Sequence, residues 1–189
     1  FGLFTSLCYW LFRKPLALIN LFFLTLSKKH TNLGVLIKYL WCILAAGQFA
    51  RIAKNKKLTH LHAHFASYPA FVAMAISHLT NIPFSFTAHA HDIFLDKPFL
   101  KELVSKATKV IAISEYNKNY ISEYCKNGAL EKIQVIHCGI NITEFQSAEK
   151  QEKKDAKVIV GIGRLTEMKG FEYLIKACGK LAPNLSFKC

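Results

Sequence analysis

Residues 58–89 read LTHLHAHFASYPAFVAMAISHLTNIPFSFTAH, and two rhythms alternate within them. Leu58–Phe65 is a short apolar run interleaved with histidines and predicts a strand. Pro69–Leu79 predicts a helix, and Phe84–His89 a second strand. A strand, a helix and a strand form one β-α-β unit, the building block of a parallel sheet.

The same order continues downstream. Pro98–Ala107 predicts a helix with Phe99, Leu100, Leu103, Val104 and Ala107 on one side. Lys109–Ser114 is read as a strand, Glu115–Lys126 as a helix that Ser114 caps, and Ile133–Cys138 as another strand. Residues 1–140 are therefore expected to hold an α/β domain with a parallel sheet and helices on both faces. Residues 141–156 break the pattern: Gln146–Asp155 is polar and charged with no apolar period, and is read as a linker. Lys157–Ile162 is then a new strand, Gly163–Met168 a loop and Lys169–Leu181 a helix. These open a second domain over residues 157–189.

Upstream, two helices are predicted within 15–55. Pro15 suits a first helical position. Leu33, Leu36, Ile37, Leu40, Trp41 and Leu44 recur at helical spacing, and Lys54, Lys56 and Lys57 close the segment. Such helices serve ordinary packing, or they rest a basic amphipathic face on an anionic membrane. The uncharged apolar stretches Leu16–Leu26 and Tyr39–Phe49 are short for a membrane-spanning helix. Arg13-Lys14 before an apolar run mimics a signal peptide, yet no small-residue cleavage site follows.

The hydrophobic fraction of 52% excludes a disordered chain, and 189 residues suffice for one domain and a piece of another. The formal charge of +13 favours anionic partners. Lysines are spread over many segments without a nucleic-acid-binding motif, so nucleic acid is a rival partner rather than the leading one. Cysteines 8, 42, 125, 138, 178 and 189 form no CxxC pair, as expected of reduced thiols in the cytoplasm. Neither Phe1 nor Lys188-Cys189 reads as a natural terminus, so the chain is expected to be an interior fragment.

Three stretches carry candidate chemistry. Gly161-Ile-Gly163-Arg164-Leu-Thr-Glu-Met-Lys169-Gly170 joins a strand to a helix, where glycines allow close approach and helix N–H groups favour an anion. Arg164 and Lys169 add two cations, which together predict a diphosphate site. The bland alternative is a tight turn with exposed charges. Thr87-Ala-His89-Ala-His91-Asp92 ends a strand on its carboxyl side, where open parallel sheets bind ligands. There His89 can serve acid–base chemistry with Asp92 to orient it, or the segment is merely a turn with polar caps. His60, His62 and His64 share one face of a strand and, with His89 or His91, suggest a metal-dependent hydrolase as a rival reading. His64 is also expected near the ligand cleft.

Taken in order, His62-Ala-His64-Phe65-Ala66, Pro83–Phe94, Ala107–Asn117, Val135–Asn141 and Gly161–Gly170 resemble glycosyltransferase family 4, retaining enzymes of the GT-B fold. The chain is most similar to those that build bacterial exopolysaccharide and colanic-acid-type polymers. That resemblance implies two Rossmann-like domains, the first lacking its opening strand before Phe1. The second is represented here by its first β-α unit, with a pair of glutamates expected beyond Cys189. It implies that Gly163, Arg164 and Lys169 hold the diphosphate of a nucleotide-sugar donor. It places His89 at the reacting carbon with Asp92 beside it, and His64, Ser114, Glu115 and Gly139 along the cleft. It implies no cofactor and no metal, a glycan or lipid-linked acceptor, and a peripheral position on the inner face of the cell membrane. At Val135–Asn141 the chain departs from the family's Asn-Gly-Val-Asp, with Cys138 and Asn141 where the family has asparagine and aspartate.

Overall fold

A computed structural model describes residues 2–95, 97–126, 130–144 and 157–189. The chain divides into two compact units, Phe1–Gly139 and Ile140–Cys189. Most of the expected linker, residues 145–156, lies outside the described residues.

The first unit begins with three helices, α1 (Leu3–Arg13), α2 (Pro15–Leu26) and α3 (Leu33–Asn55); the last two are the pair expected within 15–55, and α1 precedes them. The break between α1 and α2 is at Lys14-Pro15. A residue before proline is pushed out of the helical region, and Lys14 sits at φ −145°, ψ 57°. Pro15, which lacks an N–H, then opens α2, and the two helices meet at 113°. Asn32 caps α3 by accepting the Val35 N–H at 3.0 Å.

The face of α3 that packs is not the one its large residues mark. Leu33, Ile37 and Trp41 are exposed, while Tyr39, Ile43, Ala46, Gly47, Ala50 and Ala53 are buried. Small side chains let neighbouring helices come close. The Trp10 indole of α1 donates to the Gly47 carbonyl at 2.8 Å, and a Cβ on Gly47 would meet Trp10 Cδ1 at 3.4 Å. At 23 residues with a mean hydropathy of 1.6 over its most apolar window, α3 is long and apolar enough to cross a membrane by length and composition. The sequence expectation measured only the uncharged stretch Tyr39–Phe49, whereas the 23-residue helix also takes in Lys38 and Arg51.

Alternating elements follow: β1 (Leu61–His64), α4 (Tyr68–Thr80), β2 (Phe84–Ala88), α5 (His91–Phe94), α6 (Leu100–Lys106), β3 (Lys109–Ala112), α7 (Glu115–Cys125) and β4 (Ile133–Val135). The four strands form one parallel sheet in the order β1-β2-β3-β4. Leu61 pairs with Phe84, Ser85 with Lys109 and Val110 with Ile133. Parallel β-α-β crossovers are right-handed, so a sequential order puts the crossover helices on one face. That is the physical reason the two-sided cover expected from sequence is not met among the described residues. Ala63, Phe84, Phe86, Ala88, Val110, Ala112 and Ile133 join the core with Phe71, Met74 and Leu79 of α4 and Leu103 and Val104 of α6. Strand residues of the other parity, including His62, Ser85, Thr87 and Gln134, make a polar opposite face. An ion pair between Lys28 and Glu102 ties the α2–α3 connection to α6.

The second unit holds β5 (Lys157–Val158), α8 (Phe171–Leu181) and β6 (Phe187–Lys188), with β5 and β6 parallel. Both the strand expected over 157–162 and the helix expected from Lys169 are shorter than read. Lys169 ends a 3-10 turn, Glu167–Lys169, and Gly170 at φ +65° separates that turn from α8. A left-handed residue cannot continue a helix, and glycine adopts it without steric cost.

The Trp10–Gly47 contact is the clamp of the helical layer. Trp10→Phe, which keeps a ring but loses the N–H, is expected to lower unfolding free energy by about 1–3 kcal/mol. Trp10→Ala is expected to cost about 3–5 kcal/mol. Urea denaturation of both variants checks this, and equal losses would assign the whole effect to the hydrogen bond rather than to packing of the ring.

Candidate active site

The carboxyl ends of β1, β2 and β3 lie side by side, and each delivers a polar residue. From β1 come His64 and Phe65, from β2 His89, and from β3 Ser114. The His64 and His89 ring centroids are 6.0 Å apart, and Phe65 lies 4.6 Å from His89. Phe65 has φ +74°, a conformation that bulky residues rarely adopt, and its N–H donates to the Thr87 carbonyl at 2.8 Å. The turn out of β1 is thus strained where its ring meets His89.

Asp92 fixes this arrangement. It is buried, and its carboxylate accepts the Ala66 N–H at 2.5 Å and the His89 N–H at 3.0 and 3.1 Å. It therefore holds His89 by its main chain rather than orienting its ring as the sequence reading had it. The His89 Nε2 is buried and, among the described residues, has no hydrogen-bond partner, so it can meet a ligand. Burying such a group unpaired costs about 1–3 kcal/mol, which a bound hydroxyl or phosphate oxygen would offset.

Asn117 was not singled out as a site residue, yet it completes the frame. It is buried at the first turn of α7, and its Nδ2 donates to the His89 carbonyl. Ser114 accepts the Asn117 N–H at 3.2 Å and caps α7 as expected. An asparagine three residues after a serine cap is the sequence signal that could have found it. Glu115 is exposed and lies 4.0 Å from Lys118, and Gly139 is exposed at the end of the unit. Neither hydrogen-bonds to the His89 group among the described residues. His91 is exposed on α5.

The three-histidine face is occupied by hydroxyls. His62 Nδ1 lies 2.7 Å from Ser85 Oγ and its Nε2 3.0 Å from Thr87 Oγ1, while His60 Nε2 lies 2.8 Å from Ser85 Oγ. Both ring nitrogens of His62 are engaged, which leaves none to ligate a metal. Among the described residues no three of His, Cys, Asp or Glu are grouped to hold one.

In the second unit, Arg164 and Lys169 are exposed on the loop that leads to α8. The glycines before them answer to the protein itself. A Cβ on Gly161 would meet Leu174 Cδ2 at 2.9 Å, and one on Gly163 would meet Phe171 Cε2 at 3.3 Å. The loop is pressed against α8, and that contact crowds a Cβ at either position. A recess of about 600 Å3 beside it is lined by Thr166, Glu167 and Glu172 among others, not by Arg164 or Lys169.

A sequence model of Glycosyltransferase Family 4 matches residues 27–144. Three uncharacterized glycosyltransferases of Methanocaldococcus jannaschii are similar to the chain. One is 31% identical over 136 residues, covering 59% of this chain and 34% of that protein. A second is 34% identical over 100 residues, covering 50% and 25%, and a third 26% identical over 132 residues, covering 67% and 35%. The matched stretch is thus about a third or less of each relative's length.

The packed imidazoles set a pH dependence. Partial burial, then the charges of His64 and His60, push the His62 pKa below its ordinary value. A depressed histidine binds its proton more weakly folded than unfolded, so stability is intact above the unfolded value near 6.5 and falls as pH drops through it. The denaturation midpoint is expected to fall below about pH 6.5. His62→Gln should flatten that fall, and an unchanged slope would show that His62 does not carry it.

Proposed function

The chain belongs to glycosyltransferase family 4, and on that basis we propose that it serves a retaining glycosyltransferase. The donor is a nucleotide-diphosphate sugar, and the acceptor is a glycan or lipid-linked saccharide in surface polysaccharide synthesis. The observation that carries this reading is the unpartnered His89 Nε2 at the carboxyl ends of adjacent parallel strands, within the matched segment.

In this reading His89 meets the acceptor side of the reaction, with Asp92 and Asn117 positioning it and His64 and Ser114 beside it. Arg164 and Lys169 neutralise the leaving diphosphate, the charge that grows as the glycosidic bond breaks, with Gly163 shaping the loop between them. Glu115 and Gly139 stay in the proposal as cleft-lining residues. The reaction calls for no cofactor beyond the donor. The proposed workplace is the cytoplasmic face of the cell membrane, where the protein sits peripherally. The burial of Tyr39, Ile43, Ala46 and Ala50 against protein supports a packed rather than a spanning α3.

The two sides predict different phenotypes. In full-length protein, Arg164→Ala and Lys169→Ala should each weaken nucleoside diphosphate binding roughly ten- to a hundredfold, the worth of one charge-assisted hydrogen bond. His89→Ala should lower turnover and leave that affinity nearly unchanged. Calorimetry with the nucleoside diphosphate on all three variants decides it. An equal loss in all three, or none in Arg164→Ala, would overturn the assignment.

A further inference from the structure

The helices α1 and α2 are apolar on two sides. Their inward stripes, with Trp10, Leu18 and Leu21, are buried. Their outward stripes are equally apolar: Phe4 is 80% exposed, Phe12 90%, Leu16 74% and Phe23 69%. A helix that is hydrophobic all round belongs inside a core or against lipid. The charges around it decide which. Residues 1–91 contain nine lysines and arginines and not one aspartate or glutamate, and the first carboxylate of the chain is Asp92. Arg13 and Lys14 stand at the corner between the two exposed stripes.

A recess of about 310 Å3 flanks α2, lined by Asn20, Leu21, Leu24, Met74, His78 and Lys106. Leu21, Leu24 and Met74 make its lining apolar, and Lys106 and His78 bring basic groups to it. His78 and Lys106 share this recess, and burial, then Lys106 and Lys14, push the His78 pKa below its ordinary value. Neither lysine has an ion pair among the described residues.

We propose that α1, α2 and this recess form a docking surface for an anionic phospholipid bilayer, with the outward stripes set among the acyl chains and a lipid phosphate between Lys14, Lys106 and His78. Charge complementarity selects this occupant: a segment with cations alone would repel a second copy of itself. The apolar side chains supply depth and the lysines about 1 kcal/mol each near an anionic surface. The proposal deepens the peripheral membrane position given above and is independent of sugar transfer. Nucleoside diphosphate binding by Arg164 and Lys169 tests the latter separately.

Flotation with vesicles tests it on the full-length protein. Phosphatidylcholine vesicles containing one-third phosphatidylglycerol should carry the protein up the gradient, and pure phosphatidylcholine should retain at least tenfold less. Lys14→Glu with Lys106→Glu should weaken anionic-vesicle binding at least tenfold, and Phe12→Ser with Phe23→Ser should do so at any vesicle charge. All four positions are solvent-facing, so thermal melting should be unchanged. Equal binding to both vesicle types would overturn the proposal, as would binding to neither. Concentration-dependent dimerisation in lipid-free buffer that Phe12→Ser with Phe23→Ser abolishes would give the surface to a second copy instead.

Discussion

The Asp92 carboxylate is the constraint on which the site depends. It gathers the main-chain N–H groups of Ala66 and His89, which leave neighbouring strands. A carboxylate held by backbone donors in a buried place is strong because charge-assisted hydrogen bonds are short and little screened. It draws the exits of β1 and β2 together, forces Phe65 into its left-handed turn and leaves the His89 ring free. Asn117 adds the matching bond from the other side, to the His89 carbonyl. The His89 imidazole is thus carried on a main chain held at both its N–H and its C=O.

Much of this was legible in the sequence, and the divisions are instructive. The β-α-β rhythm over 58–138 was readable because strand and helix periods differ and the turns between them are short. The Ser114 cap and the Pro15 helix start were readable because each is a local rule. The packing face of α3 was not. Periodicity weighs large apolar residues most, whereas the interface there is made by Ala46, Gly47, Ala50 and Ala53, whose smallness is the asset. Asp92 was found but given the wrong partner, since sequence spacing cannot tell a ring from the amide behind it.

The loop at 161–170 shows the same limit. Glycines before a helix invite a phosphate reading, and the cations Arg164 and Lys169 support one. Yet Phe171 and Leu174 also press on Gly161 and Gly163 and crowd a Cβ at either position. Two demands fall on the same residues, and only the internal one is visible in the fold. The His60, His62 and His64 face likewise met partners no spacing rule reveals, because Ser85 and Thr87 come from the neighbouring strand.

The sequential strand order also bears on how the chain acquires its shape. Leu61 finds Phe84, Ser85 finds Lys109 and Val110 finds Ile133, so every link in the sheet closes a loop of similar, modest length. No strand waits for a partner from the far end of the unit. Local closures cost little entropy and keep contact order low for a parallel sheet. As the ribosome releases the chain, each finished strand meets an edge that is already made. Among the described strands the sheet can therefore grow in the direction of synthesis, each crossover helix sealing one strand before the next one emerges.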